Sequence, residues 1–118
     1  MSGWHRFANP ARFSRLSAAV LPWALALTVL LFAVGLYLAL VGSPPDARQK
    51  ETVRIMYLHV PAAWMALATY VAMAAFSAMG FVWRHPLADI AARNCAPLGA
   101  GFTLLALVTG ALWGAPMW

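Results

Sequence analysis

The chain has 118 residues, of which 64% are hydrophobic and only 9% charged, with a net charge of +5. Soluble domains carry roughly a quarter charged residues, so this composition excludes an ordinary globular surface and indicates one integral membrane domain. The basic excess lies between apolar runs, where it sets topology and meets anionic lipid, and no nucleic-acid-binding module accompanies it.

The N-terminal stretch MSGWHRFANPARFSRL is basic and aromatic. The apolar run after it is too long for a signal-peptide core and reads as a retained first span. We read residues 1–17 as a cytoplasmic arm. A membrane domain covers 18–113, with spans at about 18–41, 60–83 and 95–113. At 1.5 Å per residue each span gives roughly 28–36 Å of helix, enough for a hydrocarbon core of about 30 Å. The predicted fold class is therefore all-α, a polytopic bundle with three transmembrane helices.

Pro22 falls near the start of the first run, where a missing N–H does little harm. GSPPD, Gly42 to Asp46, ends that helix. Pro61 lies near the start of the second run, WRHP at Trp83–Pro86 closes it, and Asn94 is the expected N-cap of the third. Arg6, Arg12, Arg15, Arg84 and Arg93 fall on one side and Arg48, Lys50 and Arg54 on the other. This bias predicts a cytoplasmic N-terminus and puts His59 and the Trp113–Trp118 segment together on the outer face.

His59, in MYLHVPAAW, is set among apolar residues at the mouth of the second run. It admits two readings: an axial ligand to a metal such as haem iron, or an interfacial histidine bonded to a neighbour or to headgroups. Ala62, Ala66 and Met73 recur near its helical face, where small residues let a helix or a flat ligand approach. Arg54, with Lys50 and Arg48, suits an anionic ligand or a topology signal. Tyr57 and Trp64 fit a planar ligand or an aromatic belt. WGAPMW, Trp113 to Trp118, cannot continue a regular helix and makes a rigid aromatic surface, suited to a porphyrin face or to the belt. His5 and His85 read as exposed, Cys95 as packing, and the three acids Asp46, Glu51 and Asp89 as loop residues. The single cysteine permits no internal disulfide, CxxCH is missing, and no hydrolase, kinase or dinucleotide motif is visible, so enzymatic chemistry is not expected.

The block RIMYLHVPAAWMA, Arg54 to Ala66, resembles the CcmC family of cytochrome c maturation, and GALWGAPMW, Gly110 to Trp118, resembles the opening of that family's tryptophan-rich WWD segment. The likeness covers roughly Arg12 to the end. It implies a six-span protein of the bacterial inner membrane, of which this chain is an N-terminal fragment ending at the start (114–118) of the periplasmic tryptophan-rich segment. It also implies transient, non-covalent binding of haem b at the periplasmic face and delivery to the haem chaperone CcmE, with CcmD, CcmA and CcmB as partners. His59 matches the family's first axial histidine. Arg54, Tyr57, Pro61 and Trp64 match the block around it, and Trp113, Gly114, Pro116 and Trp118 match the opening of the aromatic platform. The second axial histidine has no outer-side candidate here. A rival reading is a permease-like structural subunit of an export complex with no ligand of its own. A cytochrome b-type electron carrier would need paired histidines deep inside spans, and the three runs hold none.

Overall fold

A computed structural model describes residues 8–117. His5, Arg6 and Trp118, which the sequence reading uses, lie outside the described residues. Three long helices follow one another: α1 (Pro10–Tyr37), which runs into a π-helical turn (Leu38–Gly42), α2 (Val53–Trp83) and α3 (Pro86–Gly114). With its π turn α1 is 33 residues long, α2 is 31 and α3 is 29, so each measures roughly 44–50 Å. All three are long and apolar enough to cross a membrane, and the chain is an all-helical, multi-pass membrane protein.

Each apolar run lies inside a longer helix, which corrects three sequence expectations. Asn9 caps α1, its Oδ1 accepting from the Ala11 and Arg12 amides at 2.9 and 3.3 Å, and Pro10 occupies the first helical position. Residues 10–17 are therefore helical, and Pro22 lies in the helix interior rather than its first turn. Asn94 is not a cap. It sits inside α3 and its Nδ2 donates to the Ile90 carbonyl at 2.9 Å, while His85 is the N-cap residue and Pro86 the first helical position. Asp89 is helical too, and pairs with Arg93 one turn on at 3.0 Å.

Pro22, Pro61 and Pro97 all lie within helices. Each removes one backbone donor, a loss that membrane helices tolerate when neighbouring groups take over. Thr28, Thr69 and Thr109 turn their hydroxyls back onto the carbonyls of Ala24, Met65 and Leu105, at 2.7, 2.7 and 2.6 Å. These three hydroxyls thereby spend their protons within their own helices.

The α2–α3 connection is tight. Arg84 ends α2 in the left-handed conformation (φ 51°, ψ 40°), and His85 and Pro86 start α3 at once. The two helices then run antiparallel. A Cβ added at Gly80 would meet Asp89, one at Gly99 would meet Thr69 and one at Gly110 would meet His59, marking a ladder of close approaches along the pair. The buried residues are small: Val53, Ala62, Ala88, Ala92, Thr109 and Gly114. His85, expected to be exposed, is half-buried at the turn, and its Nδ1 is shielded with no hydrogen-bond partner among the described residues. No residue of α1 is buried, and this helix meets α2 chiefly through the π turn at its C-terminal end.

Candidate functional site

The site lies where the start of α2, the end of α3 and the loop between α1 and α2 converge. His59, in the second turn of α2, faces α3. Its Nδ1 stands 2.9 Å from the Ala106 carbonyl oxygen and 3.2 Å from Thr109 Oγ1. A carbonyl only accepts, so Nδ1 carries the proton. Thr109 spends its own proton on the Leu105 carbonyl, which leaves its oxygen free to accept. In the neutral ring the lone pair therefore resides on Nε2, which has no hydrogen-bond partner among the described residues. Thr109 is only 7% exposed and is the buried polar residue of the described structure.

Trp113 stacks on His59, with ring centroids 6.0 Å apart and planes inclined by 27°. Its indole Nε1–H donates to Gln49 Oε1 at 2.8 Å, so the loop fixes the free edge of the ring. The loop is itself held. Asp46 Oδ1 accepts from the Arg48 and Gln49 amides, each at 2.8 Å, and the Asp46 and Lys50 backbones pair antiparallel at 3.1 and 2.9 Å. Lys50 closes this turn with a φ of 52°. The Gln49 and Arg48 amide donors hold the exposed Asp46 carboxyl below its ordinary pKa.

His59, Ala106, Gly110, Trp113, Gly114 and Met117 border an open, mostly apolar groove of about 500 Å³. α3 ends at Gly114, but Ala115 keeps helical backbone angles (φ −51°, ψ −44°) with its amide on the Ala111 carbonyl at 3.0 Å, and the Met117 amide donates to the Gly114 carbonyl at 2.8 Å. The first half of WGAPMW thus continues the helix, against the sequence expectation, and only residues 115–117 form a turn beside the groove.

The sequence-predicted residues separate into two groups. His59, Trp113 and Gly114 border one groove, and Pro116 follows in the adjoining turn. Tyr57 and Pro61 do not join them. They line a second apolar groove, of about 350 Å³, between α1 and the other two helices, together with Leu31, Phe32, Gly35 and Phe102. Trp64 is 69% exposed and borders neither groove. At about 100° per residue, positions 57, 61 and 64 point to the far side of α2 from His59. Arg54 also turns away: its Nη1 donates to the Leu40 carbonyl in the π turn and its Nε lies 2.7 Å from the Glu51 carboxylate. Of the basic residues, Arg48 and Lys50 flank Gln49, the residue that touches Trp113.

Gly110, Thr109 and Gln49 were missed in the sequence. Thr109 and Gly110 form a polar-small pair inside an apolar span, at the end that bears the tryptophans, and that pair was the available signal. Among the described residues no three His, Cys, Asp or Glu side chains converge.

Comparison with known proteins decides the family. The family model described as CcmC, heme exporter protein C, matches residues 3–118. The chain belongs to the CcmC family. It is 54% identical over 111 residues to the heme exporter protein C of Bradyrhizobium diazoefficiens, which covers 94% of this chain and 42% of that protein. It is 44% identical over 118 residues to the Paracoccus denitrificans protein of the same name, covering 100% of this chain and 48% of the relative. For that of Escherichia coli K12 the figures are 40% over 114 residues, 97% and 46%. The chain therefore spans slightly under half the length of these curated relatives.

Proposed function

We propose that this CcmC-family chain presents haem for cytochrome c maturation at the periplasmic face of the bacterial inner membrane, with its N-terminus in the cytoplasm. In this reading haem b is a non-covalent, transient cargo and not a resident cofactor. His59 Nε2 is an axial ligand to its iron. Trp113, with Gly114, Pro116 and Trp118, forms the opening part of the aromatic surface for the porphyrin face. Arg48 and Lys50, on either side of Gln49, attract the propionates as mobile surface charges. Arg54, Tyr57, Pro61 and Trp64 shape the helix and loop that carry His59. The cargo then passes to the haem chaperone CcmE, with CcmD, CcmA and CcmB as partners. No covalent chemistry is assigned to this chain.

The observation that carries the reading is the stacked His59–Trp113 pair at the groove, with the imidazole held through Nδ1 and its other nitrogen without a partner among the described residues. An imidazole fixed through one nitrogen is the usual arrangement of a histidine that ligates metal through the other. Haemin titrated into the chain in lipid nanodiscs is expected to give a Soret band that His59→Ala shifts and weakens. Identical titrations of the two proteins would remove His59 from the proposal.

The permease-like reading draws on the second groove, which Gly35, Ala39 and Ala62 make shallow enough for a partner helix. It predicts a protein that purifies without haem yet holds its transporter subunits whether or not His59 is present.

A further inference from the structure

We infer that Gly110, with the α3 backbone beside it, is a positioning residue that fixes the tautomer and place of the His59 ring; the inference builds on the haem-ligand reading above. A Cβ added at Gly110 would lie 2.9 Å from His59 Cε1, 3.3 Å from Nδ1 and 3.7 Å from Nε2. Non-bonded carbon atoms settle at about 3.5–4.0 Å, so the imidazole rests on bare backbone that only glycine leaves open. The ring is a rigid plate, and relieving this contact lifts it bodily away from α3. Moving it off this contact also carries Nδ1 away from the Ala106 carbonyl 2.9 Å distant, because the contact and the carbonyl both belong to α3.

The clamp has consequences for ligation. With Nδ1–H directed at a carbonyl, the proton cannot move to Nε2 without setting a bare Nδ1 lone pair against the Ala106 carbonyl oxygen, two acceptors facing each other between packed helices, which is costly. The neutral ring is thus held with Nε2 as its electron-pair donor. Thr109 supplies the second, longer acceptor at 3.2 Å. It is the lesser partner, since the Ala106 carbonyl suffices without it. Trp113 bounds the ring from the next turn of α3, so one helix supplies the seat, the proton acceptor and the stacking partner.

The test uses the chain in lipid nanodiscs with ¹⁵N-labelled histidine and no haem, reading the ring nitrogens by NMR. His59→Ala identifies the His59 signals among the three histidines. The expected wild-type spectrum is the Nδ1–H tautomer. Gly110→Ala is expected to move the signals to the Nε2–H form or to a mixture, while Thr109→Val keeps the wild-type tautomer. In haemin titrations Gly110→Ala is expected to bind about 10- to 100-fold more weakly, as when the outer partner of a ligating histidine is removed. A wild-type ring in the Nε2–H form, or a Gly110→Ala spectrum matching wild type, overturns the inference. If Gly110→Ala does not fold, the wild-type tautomer decides alone. Should haemin bind wild type and His59→Ala alike while the tautomer still responds to Gly110→Ala, the clamp stands and the haem reading falls.

Discussion

α1 and the α2–α3 pair are both long and apolar, yet only the pair is packed. α1 leaves Trp23, Leu25, Leu27, Val29 and Leu30 exposed and buries nothing. α2 and α3 meet through Ala62, Ala88, Ala92, Gly99, Gly110 and Gly114. In a bilayer, hydrophobicity does not drive helices together, because lipid tails are as apolar as leucine. Close backbone approach does, and small residues permit it. The contrast extends to glycine itself. A Cβ at Gly35 of α1 would meet nothing within 4 Å, whereas one at Gly110 of α3 would strike a ring. The site was built on the half of the molecule where backbones can touch.

The sharpest way to break this contrast is to enlarge a small residue on each side. Ala62→Leu is expected to destabilise the α2–α3 pair by about 1–3 kcal/mol through overpacking, and Gly35→Leu to cost nothing, since it replaces a helix-weakening glycine in open space. Denaturant unfolding in detergent micelles measures both. Equal costs would show that α1 is as closely packed as the pair.

A smaller effect is expected at the joint between loop and pair. Trp113→Phe and Gln49→Met each remove the indole–amide bond, at about 0.5–1.5 kcal/mol. Because they delete one interaction, the double variant should cost no more than the larger single one. Simple additivity in the same unfolding experiment would mean that the two side chains act separately.

The smallest effect concerns the loop alone. The Asp46 carboxyl is held below its ordinary pKa by amides that favour its charged form. Its contribution to loop order is thus complete above the usual carboxylate pKa and disappears as the pH falls through the lowered folded value. Amide exchange of Arg48 and Gln49 should stay slow at pH 5 and rise only in more acidic solution. In Asp46→Ala it should be fast throughout. Protection lost already at pH 5 would contradict the lowered pKa.

Much of this architecture was legible in the residues. The three uncharged runs gave the helices because a bilayer demands unbroken apolar length, and the back-and-forth succession of the second and third put His59 and Trp113 at one end. The helix ends were less legible. Pro10 and Pro86 start helices well before the apolar stretches, since a helix continues through polar residues once it clears the membrane. The apolar pattern therefore offers Asn94 as a cap and puts Pro22 near a helix start, where the structure has neither. At the site, the block around His59 was treated as a unit although helical geometry already divides it, with Tyr57, Pro61 and Trp64 behind the imidazole. Thr109, Gly110 and Gln49 escaped because their roles depend on what another segment brings to them. A glycine carries no chemical signature of the ring it must admit.

The π turn at Leu38–Gly42 holds one residue more per turn than its neighbours need, and Arg54 closes on the Leu40 carbonyl within it. Such a turn works like a joint in a pipe: the number of residues inside it sets the rotation of everything upstream. Which stripe of α1 looks toward its neighbours is therefore decided by a residue count at a single bend, independently of the imidazole and its indole.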